Sequence, residues 1–120
     1  MSRVATFTIA IAAALAWAAP LRAAPGDPDT SFGGGDGKVT YGYLPDDVIH
    51  AVAQQRDGKI VAVGDTKGSG VSRSMAVLRL AKDGSLDSSF ASGGRLVSSE
   101  IPSARGVVVR DDGRILVVGS

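Results

Sequence analysis

Asp27, Asp29 and Asp36 are the first residues along this chain whose type and spacing suit a chemical task, because hard cations are held by several carboxylate and carbonyl oxygens. Their order does not suit it. Ser31 and Phe32 stand where an Asp or Asn and a glycine would continue an Asp-x-Asp loop, so the three aspartates read as turn formers and no metal ligand is assigned. The run Gly33-Gly34-Gly35-Asp36-Gly37-Lys38 has the glycines and the lysine of a phosphate-cradling loop. Phe32 takes the place of that loop's first glycine, Val39 that of its hydroxyl residue, and a strand is expected next rather than a helix N-terminus, so nucleotide binding is not expected. Asp46-Asp47 offers paired carboxylates of the kind glycoside cleavage uses, but neighbours on a strand point to opposite faces, and a solvated loop is the simpler reading. His50 is the sole histidine, which excludes a His-rich metal site within this chain and leaves a partly buried or edge imidazole on an apolar strand. Tyr41 and Tyr43 share a face at period two and read as ordinary strand packing. None of these groups makes a catalytic or cofactor-binding set, and no cofactor is expected.

What recurs is of a different kind. Gly26-Asp27-Pro28-Asp29-Thr30-Ser31-Phe32 returns as Gly84-Ser85-Leu86-Asp87-Ser88-Ser89-Phe90, and the stretch from Arg56 to Gly64 returns from Asp111 to Gly119. The offset falls from 58 at Asp29/Asp87 to 57 at Gly37/Gly94 and 55 at Gly58/Gly113, so residues are lost only between the matched blocks. Length changes confined to connections are expected of surface loops on a packed scaffold, and a period near 57 residues marks a repeat architecture.

The elements that would carry these blocks read as strands. Lys38 to Tyr43, Val48 to Gln54, Lys59 to Val63 and Met75 to Leu80 are four short runs in one unit, the strand count of a propeller blade. The last two are apolar without alternation, as in strands covered on both faces; a two-sheet sandwich or a β-solenoid remains the alternative. Asp57-Gly58 and Asp112-Gly113 lie between apolar runs and predict two-residue type I′ hairpins with positive φ at both positions. Asp83-Gly84 starts the crossing to the next unit, and Phe32 and Phe90 are the expected inward anchors, equivalent to each other.

Asp29-Thr30-Ser31-Phe32-Gly33, Gly37-Lys38-Val39, Asp57 to Gly64, and Leu78-Arg79-Leu80 before Asp83-Gly84 together resemble the bacterial delta-60 repeat; the second copy departs from it by carrying Ala91 after its Phe. The resemblance covers residues 26 to 120 and implies a β-propeller-like repeat in exported bacterial proteins, with no known reaction. The expected fold is therefore all-β, built of four-stranded antiparallel units of a β-propeller-like array. About one and three-quarter units are present, 24–83 complete and 84–120 lacking its last strand. That lack leaves Arg114 to Val118 with an unpaired apolar edge, which predicts self-association and a place in a longer array. The reading is a non-enzymatic scaffold or interaction surface for a protein or surface ligand. The rival is part of an enzyme propeller, a lactonase-like or lyase-like hydrolase, with its site in the central channel.

Residues 1–23 hold Arg3, an uncharged run from Val4 to Ala19, Pro20 and a Leu21-Arg22-Ala23 end, the three-part pattern of a signal peptide forming an N-terminal helix. The run is shorter than the roughly 20 residues of a spanning helix, so no membrane span is expected after its removal. A secreted, periplasmic or cell-surface protein of bacterial type follows. Without Arg3 and Arg22 the remainder has 11 basic and 12 acidic residues, scattered between strands, which excludes nucleic acid as a partner. With no cysteine there are no disulfides, so burial must stabilise the fold. N-terminal sequencing of the exported protein is expected to read from Ala24; recovery of an intact Met1 end in a membrane fraction would show an anchor instead.

Overall fold

The computed structural model describes residues 24–42, 46–68 and 70–120. The expected signal segment and Tyr43 lie outside the described residues. Among those described there is no helix, and six strands form two antiparallel sheets. β1 (Val48–Gln54), β2 (Ile60–Lys67), β3 (Arg73–Leu80) and β4 (Arg95–Ser98) make one sheet in sequential order. β5 (Ala104–Val109) and β6 (Ile115–Gly119) make the second. The chain is thus all-β, with sheets consistent with a partial β-propeller repeat.

The four-stranded sheet is out of phase with the sequence repeat. Its outer strand β4 follows the second Asp-x-Ser-Phe block and pairs Leu78 with Arg95 and Val77 with Leu96. Arg95 is the counterpart of Lys38, yet Lys38 to Gly42 forms no strand, contrary to the sequence expectation. A strand exists only through a partner, and both sides of β3 are already occupied by β2 and β4. The strand that Lys38 to Gly42 would need is a β3-type strand of a preceding unit.

Tight turns hold the strands in register, but they are not type I′. Asp57 and Asp112 keep negative φ, while Gly58 and Gly113 adopt φ of 86° and 83°. The Gly58 amide donates to the Gln55 carbonyl at 3.0 Å and the Gln55 amide to the Lys59 carbonyl at 2.8 Å. This is a type I turn completed by a glycine in the left-handed region, the next commonest hairpin closure. Asp57 serves as an acceptor instead, its Oδ1 taking the Lys59 amide at 3.1 Å. Asp112 does the same for Arg114 at 3.0 Å, and Asp83 for Ser85 at 2.9 Å. All three Asp-Gly pairs therefore build one turn, the third closing on a bridge between Leu80 and Leu86.

The two sheets pack face to face. Val61, Val63, Met75 and Val77 from the first sheet and Ala104 at the start of β5 form the buried cluster, with Val107, Val109, Ile115 and Val117 of the second sheet against it. β2 is buried on both faces from Val61 to Thr66, as its unbroken apolar run predicts, whereas β3 alternates. Phe90 packs at the margin of this core under the Arg79 guanidinium, 4.8 Å from its ring centroid. Phe32 has a different setting: its ring closes on Gly84, whose added Cβ would lie 3.0 Å from two ring carbons.

Each sheet carries a β-bulge at the same place. In the first, Ile49 pairs with Gly64 and Ala51 with Val63, leaving His50 unpaired; in the second, Ala104 pairs with Gly119 and Gly106 with Val118, leaving Arg105 unpaired. The bulge brings the neighbouring backbone so close that a Cβ on Gly64 would lie 1.8 Å from the Val48 carbonyl oxygen, and one on Gly119 1.9 Å from that of Ser103. Gly64→Ala is expected to destabilise by about 1–3 kcal/mol or more, since the obstacle is backbone. Gly70→Ala, with open space around it, should stay within about 0.5 kcal/mol in the same urea denaturation series.

Candidate functional site

The alternation that points Val61 and Val63 at the second sheet also points Asp65 there, two residues further along β2. Its side chain is 3% exposed. The β1 bulge turns His50 back onto it, with Nε2 2.6 Å from Asp65 Oδ2. Arg73, at the start of β3, donates Nη1 to Asp65 Oδ1 and reaches the Asp46 carbonyl at 3.4 Å. Ser103, buried just before β5, donates its hydroxyl to Oδ2 at 2.9 Å. Arg105 Nη1 then lies 3.4 Å from Nε2 and 3.5 Å from Nδ1 of His50. One carboxylate thus gathers groups from β1, β3 and the segment entering the second sheet.

Burial alone would push the Asp65 carboxyl up; the hydrogen bonds from His50, Ser103 and Arg73, helped by the Arg73 charge, overcome it and hold the pKa at about 2. The group is therefore an ionised acceptor, which assigns the proton on His50 Nε2 as the donor in that contact. The composition Ser, His, Asp suggests nucleophilic catalysis, but the connectivity is wrong for it. A serine nucleophile must give its proton to the imidazole, and the imidazole must be oriented by the acid. Here Ser103 and His50 both donate to the same carboxylate oxygen, and Ser103 is 4% exposed. The arrangement clamps two sheets together.

A second ionic turn fixes the repeated Asp-x-Ser-Phe block. Asp87 Oδ1 takes the hydroxyl and amide of Ser89 at 2.6 and 3.1 Å, while Oδ2 takes Arg79 Nε at 2.8 Å and Lys59 Nζ at 3.0 Å. The Ser89 hydroxyl, then Lys59, and the Arg79 charge hold its carboxyl well below the usual range. Asp29 and Ser31 repeat the turn, and the Ser31 hydroxyl lowers Asp29 likewise.

The aspartates first considered for a cation do not converge. Asp27 takes the Ala24 amide, Asp29 the Ser31 amide and Asp36 the Lys38 amide, each within its own turn. Asp46 is exposed, whereas Asp47 accepts the Thr66 hydroxyl at 2.6 Å, so the pair is not simply a solvated loop. Tyr41 donates its hydroxyl to the Gly84 carbonyl at 2.7 Å. His50 sits on the sheet-edge strand, its side chain 23% exposed. Sequence reasoning missed Asp65, Arg73, Ser103 and Arg105. The available signal was Asp65 itself, a charge placed by alternation on the same face as Val61 and Val63.

Residues 55–90 are similar to a β-propeller domain of unknown function (DUF5122). The matched stretch runs from the Asp57-Gly58 turn through β2 and β3 to Phe90, and so contains Asp65, Arg73 and the Asp87 turn. No curated protein and no solved structure matches the chain.

Asp65 has its carboxyl near 2 when folded and near 3.8 when unfolded, so its contribution is complete above about pH 4 and is lost as pH falls towards 2. The shift corresponds to roughly 2 kcal/mol. Asp65→Asn is expected to lower stability at pH 7 by at least that order and to flatten the decline between pH 4 and 2, as read by thermal melts across that range. An unchanged acid limb in the variant would show that Asp65 is not part of the clamp.

Proposed function

We propose that this chain is an exported, non-enzymatic β-propeller-like repeat segment of the delta-60 type, acting as a scaffold or interaction surface for a protein or surface ligand. The observation that carries the reading is the use made of the buried polar groups: His50, Arg73 and Ser103 all bond to Asp65, and Ser103 does so from the segment entering the second sheet. The repeated positions are otherwise turn acceptors and core side chains. Export is supported by the pattern of residues 1–23, and a repeat architecture by the two hairpins that share one bulged register, at His50 and at Arg105.

Ser120 is the sequence counterpart of Asp65, so a copy of residues 66–120 joined after Ser120 would continue the repeat in phase and supply β6 with a β3-type neighbour. In such an extended chain the unfolding midpoint is expected to rise and the transition to stay single, because neighbouring repeats stabilise one another through their interfaces. A separate transition for the added unit, with the original midpoint unmoved, would overturn the stacking-scaffold reading.

A further inference from the structure

An aspartate followed by glycine can modify itself, because glycine has no side chain to shield its own amide nitrogen. That nitrogen attacks the aspartate Cγ, a C–N bond forms, and a carboxyl oxygen leaves as water. The cyclic imide then takes up water at its α-carbonyl, which gives an isoaspartate whose main chain runs through Cβ and Cγ. Water released is balanced by water regained, and no other reactant is needed. Closure requires the aspartate to swing its Cγ onto the next amide, so a turn in which both groups are bonded elsewhere must first open locally.

Asp57-Gly58 and Asp83-Gly84 sit in the same kind of turn but in different surroundings. The Gly58 amide donates to the Gln55 carbonyl at 3.0 Å and the Gly84 amide to the Ala81 carbonyl at 2.9 Å, so each nucleophile is held by one bond. Asp57 is exposed, its Oδ1 taking the Lys59 amide, and a Cβ added to Gly58 would meet, among the described residues, the Lys82 side chain at an ordinary 3.4 Å. Gly84 is buried, and an added Cβ there would lie 3.0 Å from the Phe32 ring and 3.1 Å from Val39. The Gly33 amide donates to the Asp83 carbonyl at 2.9 Å, and the Tyr41 hydroxyl to the Gly84 carbonyl at 2.7 Å. Asp83 Oδ1 takes the Ser85 hydroxyl at 2.7 Å as well as its amide at 2.9 Å. Opening the second pair therefore displaces residues 32–41, whereas the first opens within its own hairpin tip. We propose that Asp57 is a site of spontaneous isoaspartate formation in the folded protein, and that residues 32–41 close Asp83 to the same reaction. The product lengthens the main chain between Gln55 and Lys59, so the 2.8 Å bond that closes the β1–β2 hairpin is lost.

The chain is aged in warm neutral buffer, with and without urea, then cut with a protease that cleaves before aspartate and not before isoaspartate, and mapped by mass spectrometry. In the folded chain, isoaspartate at Asp57 is expected to exceed that at Asp83 about tenfold, whereas in urea the two should accumulate within about twofold of each other. Tyr41→Phe removes one tie on Gly84 and is expected to raise modification at Asp83 about fivefold, leaving Asp57 unchanged. Equal accumulation at the two sites in the folded chain would overturn the proposal, as would a ratio that urea leaves unchanged, which assigns the difference to flanking residues. Modification confined to the urea-treated sample would overturn it too, by showing that the turn bonds alone protect both pairs. So would a Tyr41→Phe chain in which Asp83 reacts no faster, because residues 32–41 would then not be what closes it.

Discussion

A single buried carboxylate governs how the two sheets meet. Asp65 is the one acidic group among the described residues carried into the core, and an unpaired ion there would be strongly destabilising. The guanidinium of Arg73, the imidazole of His50 and the hydroxyl of Ser103 remove that penalty only when β1, β3 and the entry to β5 stand in one arrangement. Apolar contacts such as Val63 on Val117 would tolerate sliding. The ionic group does not, so it sets register and the hydrophobic surfaces supply most of the attraction.

The bulge and its glycine create the space in which this happens. Without the unpaired His50, the imidazole would follow the regular alternation of β1 and leave Asp65 short of a donor; without Gly64, the Val48 backbone could not come near enough for the bulge to form. The second sheet keeps both devices at Arg105 and Gly119 and changes the chemistry, an arginine for the histidine. Geometry is thus the repeated quantity, and the polar residues placed on it are variable.

Much of this was legible in the residues. Strand class, the apolar β2 and the Asp-Gly turns follow from composition and local chemistry, and the turn type was misread only because Asp can act as an amide acceptor as readily as it can take positive φ. Lys38 to Gly42 was misread for a different reason: β-propensity describes a side chain's fit to a sheet and says nothing of whether a partner strand is present. The clamp was hidden because its members are far apart in the chain, Asp65 and Ser103 by 38 residues, and no local pattern joins them. Asp65 alone carried a signal, through its phase with Val61 and Val63.

The shift between the repeated text and the hydrogen-bonded sheet has a bearing on how such a chain can be lengthened. Because β4 comes from the unit after β1, β2 and β3, no seam in the molecule coincides with a gap in both the chain and the sheet. The repeat behaves like a cyclic word: insertion of one whole period at any point leaves the order of strands unchanged, whichever letter the insertion begins with. Only the order of the blocks has to be kept, since the connections between them already differ in length, and the point of splicing is left unconstrained.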